Sequence, residues 1–169
     1  AVPHELVQGI IKAVMTQDSS AALTVLANLM DQGHDLRAFC DEVVEQIRNL
    51  LVASVVPATD ELRSLIEASE EDIKQLATDA KILTPEQLQE LLTLFIQAED
   101  SLRLSAHPRF VLETAAIRAT RLLRRRDTGD SRLLQATPAP TGQKSPVRSE
   151  AIDSRSAASS TAPFVTTSA

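Results

Sequence analysis

Apolar residues recur at three-and-four spacing almost from the start of this chain, the period of helices with one side against a core. In residues 5–16, Leu6, Val7, Ile10, Ile11 and Val14 fall on one side. Residues 19–32 carry an inner stripe of Ala22, Leu26, Leu29 and Met30. Asp18 is placed to cap that helix, and Gly33 to take the left-handed conformation that closes it. Asp35 can cap a third helix over 36–55, where the period is clearest. There Leu36, Phe39, Cys40, Val43, Val44, Ile47, Leu50 and Leu51 share one arc, while Asp41, Glu45, Arg48 and Asn49 lie outside it. Pro57 ends the run.

Residues 58–83 are patterned more weakly, with a short helix expected at 60–68 and another at 70–80. Ser69 followed by Asp72 resembles a capping box. The next start is stronger: Thr84 as N-cap, Pro85 at the first helical position and Gln87 two further on. It opens a helix to about 105 with Leu88, Leu91, Leu92, Phe95 and Leu102 in line. His107-Pro108 is a rigid break, because proline has no N–H to donate and pushes the residue before it out of the α region. Pro108 suits the first turn of a last helix over 108–126. No alternating strand pattern occurs, so the fold class is all-α: a compact bundle of about six helices over residues 1–126. Residues 127–169 are rich in Ser, Thr, Ala and Pro, and no period survives in them. They bury too little to offset the entropy of ordering and read as a disordered tail or linker, with 132–135 able to extend the helix.

Composition removes several functions. There are four Phe and neither Trp nor Tyr among 169 residues, poor material for stacking on bases. Cys40 is the single cysteine, which excludes an internal disulfide and fits a reducing, cytoplasmic setting. No apolar run approaches the roughly 18 residues of a membrane span, and no signal peptide is evident. The first residue is Ala1 rather than Met, as expected of a piece of a longer protein. Of the net charge of −6, residues 1–108 contribute seven basic against eighteen acidic side chains. Residues 109–126 contribute six Arg against Glu113 alone. A duplex-binding domain would spread Lys and Arg over a whole face instead.

Candidate chemistry is sparse. His4, His34 and His107 are scattered and have no second ligand at metal spacing, so no metal site is expected. Cys40 reads as a buried structural thiol or, alternatively, as half of a Cys–His nucleophile pair. Gly9, Gly33, Gly129 and Gly142 never cluster, which excludes a phosphate-cradling loop in these residues. Glu70, Glu71 and Asp72 are explained by the dipole of the helix they open.

The last helix has two distinct sides. At 100° per residue, Val111, Leu112, Ala115, Ala116, Ala119, Leu122 and Leu123 share the seam side, where the alanines let another backbone approach. Phe110 and Ile117 lie nearly opposite, among Thr114, Arg118, Arg121, Arg124 and Arg125. An apolar pair rimmed by arginine fits a partner contact. The alternative is that Phe110 and Ile117 meet residues 58–83 of the same chain. Leu94 and Ile96, off the seam of the preceding helix, are further interface candidates. Arg109 and Glu113 can pair four residues apart. The arginines also admit a nucleic-acid-binding reading, and the bundle as a whole an adaptor reading.

The run L-R-L-S-A-H-P-R-F-V-L-E-T-A-A-I-R-A at 102–119 resembles the closing helices of the γ/τ subunit family of the bacterial DNA polymerase III clamp loader. D-x-x-A-A-L-x-x-L at 18–26, G-H-D-L-x-x-F at 33–39 and R-N-L-L at 48–51 fit the same all-helical third domain in the same order. In that family His107, Pro108, Arg109 and Glu113 correspond to an HPR-x-x-x-E helix. The resemblance implies a collar domain that joins γ/τ copies with δ and δ′ in a ring. It also implies that ATP, zinc and most DNA contacts belong to two preceding domains, so no catalytic residue, cofactor or metal is expected here. Contact with DNA and membrane is not expected. The resemblance does not reach the later τ segments that bind helicase and polymerase.

Overall fold

A computed structural model describes the backbone of residues 1–57 and 59–133, and side chains as far as residue 123. Seven helices and no strands occur among the described residues: α1 His4–Met15, α2 Ser19–Asp31, α3 Leu36–Val55, α4 Thr59–Leu65, α5 Glu70–Asp79, α6 Pro85–Leu104 and α7 Pro108–Leu133. The weakly patterned stretch after Pro57 thus yields two short helices. None of the described helices is long and apolar enough to cross a membrane.

The ends of the helices are set by local chemistry. Asp18 accepts from the Ala21 amide and Asp35 from the Ala38 amide, each capping the helix it precedes. Thr84 and Gln87 close a reciprocal capping box at α6, with bonds of 3.2 and 2.9 Å. At the end of α2, Gly33 takes φ +73°, and the His34 amide reaches back to the Leu29 carbonyl. This is the Schellman closure anticipated at a glycine. The end of α1 closes the same way, from Asp18 to Ala13, but Gln17 holds the left-handed position, φ 58°. No glycine marked that turn.

The core runs through all seven helices. Phe39 and Phe95 sit at its centre, where α3 lies along α6. The expected inner stripes are buried at Val7, Ile10, Ile11 and Val14 on α1 and at Ala22, Leu26 and Leu29 on α2. On α3 they are buried at Phe39, Cys40, Val43, Ile47 and Leu50. α1 and α2 form an antiparallel hairpin in which Gly9 lets the two approach; a Cβ there would stand 3.1 Å from Val25. α7 packs on α6 and α2 and touches α1 and α3.

The α7 backbone continues past the end expected at Arg126 to Leu133. Nothing in the intervening sequence forces a stop, since the next proline is Pro138. Beyond residue 133, the tail expected over 127–169 lies outside the described residues.

Candidate subunit interface

The junction between α6 and α7 positions the candidate residues. α6 ends at Leu104, and Pro108 opens α7 in its first turn, as the sequence requires. Between them the His107 amide donates to the Ser105 hydroxyl at 2.9 Å, and the Val111 amide to the His107 carbonyl. From α3, the Arg37 guanidinium donates to the last carbonyls of α6, Leu102 at 3.2 Å and Arg103 at 2.9 Å. A cation at a helix C-terminus satisfies orphan acceptors and opposes the dipole. Arg37 therefore fixes where α6 stops and α7 turns, a role the sequence reading missed. Its only sequence signal is its place in the first turn after the Asp35 cap.

The inner side of α7 is the expected seam. Leu112, Ala115, Ala116, Ala119 and Leu123 are buried, and Val111 and Leu122 are half-buried. Thr120 is also fully buried, and it too was missed. Its hydroxyl donates to the Ile117 carbonyl at 2.7 Å and pairs with Ser19 Oγ at 2.6 Å, tying α7 to the start of α2.

The outer side is open. Phe110 is 60 % exposed and stacks on the His107 ring, with centroids 5.4 Å apart. It is therefore not packed under residues 58–83, the alternative raised by the sequence. Ile117 is half-buried, and Arg118 and Arg121 are exposed with no ion pair among the described residues. The Arg125 side chain lies outside the described residues. Arg109 and Glu113 pair at 2.8 Å, and their exposure limits that pair to a few tenths of a kcal/mol.

One expectation needs correction. Leu94 is 7 % exposed and does not stand off the seam. It floors a groove between α6 and α7, beside Val111, Ala115 and Arg118. Ile96 is 41 % exposed but lies about 200° around α6 from Leu94, so the two do not share a patch. Leu104, overlooked in the sequence, is 91 % exposed just before the break that Phe110 follows. Both are large apolar side chains in water at the same junction.

The remaining chemical candidates resolve as structure. Cys40 is fully buried, with its thiol 3.6 Å from the Phe95 carbonyl oxygen. Burial pushes its pKa up to about 12, with Glu99 and Asp41 adding to the effect. It is a protonated packing group, as the structural reading held. His34 pairs with Gln32. Asp41 is raised by desolvation and by the neighbouring Glu99 carboxylate, which itself accepts from Arg103 at 2.7 Å. No group of three or more His, Cys, Asp or Glu among the described residues is placed to hold a metal ion. Of the described glycines, Gly9 lies inside α1 and Gly33 closes α2, so the two do not cluster.

The model of a known family matches this chain over residues 1–130. That family is DNA polymerase III subunits gamma and tau domain III. The chain belongs to this family. The match takes in α1 to α6 and nearly all of α7. The chain is 24 % identical over 144 residues to DNA polymerase III subunit gamma/tau of Mycobacterium bovis, and equally to that of two strains of Mycobacterium tuberculosis. The alignment covers 80 % of this chain and 25 % of each relative, so the chain spans about a quarter of the length of the curated relatives it matches. Within the γ/τ family, the part shared is domain III.

Proposed function

We propose that this bundle is the oligomerisation module of a replicative clamp-loader subunit. It holds γ/τ copies, δ and δ′ in a ring, so that ATP-driven steps elsewhere in the assembly can load the sliding clamp during DNA replication in the cytoplasm. The bundle performs no chemistry of its own in this reading, and ATP and zinc belong to domains outside it. The observation that carries the reading is the family match across the whole bundle, over residues 1–130. The exposed Phe110 on α7 supplies a surface for the task. A ring contact joins two different faces of neighbouring subunits and closes by rotation.

Phe110→Asp combined with Ile117→Asp tests the module directly. Helicity by circular dichroism should stay at the wild-type level while association with other loader subunits is lost. Loss of helicity would instead make these two residues part of the core. Arg118 and Arg121, exposed and without an ion pair among the described residues, favour a second reading, nucleic-acid binding. Fluorescence anisotropy with primed DNA decides between them: steeply salt-dependent binding by this chain alone would support the second.

A further inference from the structure

The outer face of α7 has an inverse elsewhere on the molecule. A cleft of about 490 Å³ opens between α1, α3, α5 and the turn that joins α4 to α5. Its size is that of a side-chain or ligand pocket. Buried Ile66 and Leu76 supply an apolar floor, and Glu42, Glu45 and Glu67 stand around it, all exposed. Two further carboxylates in the lining are engaged locally: Asp72 accepts from the Ser69 hydroxyl and Asp79 from the Gln75 amide. Glu42, Glu45 and Glu67 meet no cation among the described residues.

α7 presents the complement: an exposed aromatic ring, and two arginines without a carboxylate partner among the described residues. None of the residues lining the cleft belongs to α6 or α7, so the two surfaces are separate parts of one chain. Opposite charge around matched apolar centres is the arrangement that selects a partner and a register. The acidic cleft repels a polyanion, which leaves nucleic acid no place in it.

Building on the oligomerisation reading, we propose that the outer face of α7 seats in the acidic cleft of a second copy of this chain. Phe110 points toward the apolar floor, and Arg118 and Arg121 meet Glu42, Glu45 and Glu67. The pair then keeps one unused α7 face and one unused cleft, one on each copy, so the contact is head-to-tail and propagates until a ring closes.

Two charge reversals test this by sedimentation velocity on the 169-residue chain. They are Arg118→Glu with Arg121→Glu, and Glu42→Lys with Glu45→Lys. Each alone should weaken self-association at least about tenfold with circular dichroism unchanged. Mixed one to one, the two variants should recover assembly, because the intact α7 face of one meets the intact cleft of the other and the two reversed surfaces are again opposite in charge. Assembly that survives both reversals overturns this inference and leaves the oligomerisation reading standing. So does a mixture that stays single, or an arginine reversal that abolishes binding to primed DNA without touching assembly. Wild-type chains that stay single on their own also overturn it. The oligomerisation reading falls only if they stay single with cognate loader subunits as well.

Discussion

At Cys40, burial decides the chemistry. A thiol enclosed between α3 and α6 and held near the Phe95 carbonyl has no access to water for its thiolate, so its pKa rises from 9.0 to about 12. The folded state therefore keeps a proton that the unfolded chain releases above about pH 9. The stability from this group is complete below pH 9 and is lost as pH rises from 9 through 12. Urea titrations across that window should show a steeper fall for wild type than for Cys40→Ala. Equal slopes would mean that the thiol is not enclosed. Cys40 also should not react with thiol reagents in the native state. This residue was legible from its place in the apolar arc of α3. Thr120 was not, because a hydroxyl between seam alanines reads as solvent-facing until the facing helix brings Ser19 within 2.6 Å. Gln17 was hidden for a different reason. The left-handed closure of α1 is imposed by the hairpin with α2, and no local glycine announces it.

The helices were readable as elements because start signals and period agree in α2, α3 and α6. Each begins on a capping side chain named from sequence, and each buries the stripe its spacing sets apart. Placement of α6 against its neighbours was less legible. Leu94 falls outside a stripe drawn on α6 alone, yet α7 lies along that side and covers it. Which helix flanks which is a long-range fact that no window of sequence contains. The α3–α6 tie through Arg37 is of the same kind, a contact across 65 residues. Arg37→Ala should lower stability by about 1 kcal/mol, the scale of hydrogen bonds to a charged donor when partly exposed. Faster hydrogen exchange should appear in the last turn of α6. A denaturation midpoint equal to wild type would remove Arg37 as the element that fixes the break. By contrast, Arg109→Ala should shift the midpoint hardly at all, because its pair with Glu113 is exposed.

For the molecule as a whole, charge divides between the body and the last helix. Acidic side chains cover the body built from α1 to α6, and the outward arginines gather on α7 around Phe110. The described interior is closed: no buried side-chain polar atom lacks a hydrogen bond. What remains unsatisfied faces outward, and that is where membership in the γ/τ family and the exposed α7 face point together. The sequence carried the family and the outward helix, through the H-P-R run and the wheel of α7. The acidic cleft escaped it, since its carboxylates come from α3, α5 and the turn before α5, which only the fold brings together. On the proposed reading, this outer surface is covered by neighbouring subunits. Multi-angle light scattering of the chain mixed with cognate loader subunits measures it most directly. A particle holding several chains, dispersed by Phe110→Asp with Ile117→Asp, is the result expected. A mass that stays at one chain for wild type across the accessible concentration range would rule out the oligomerisation module.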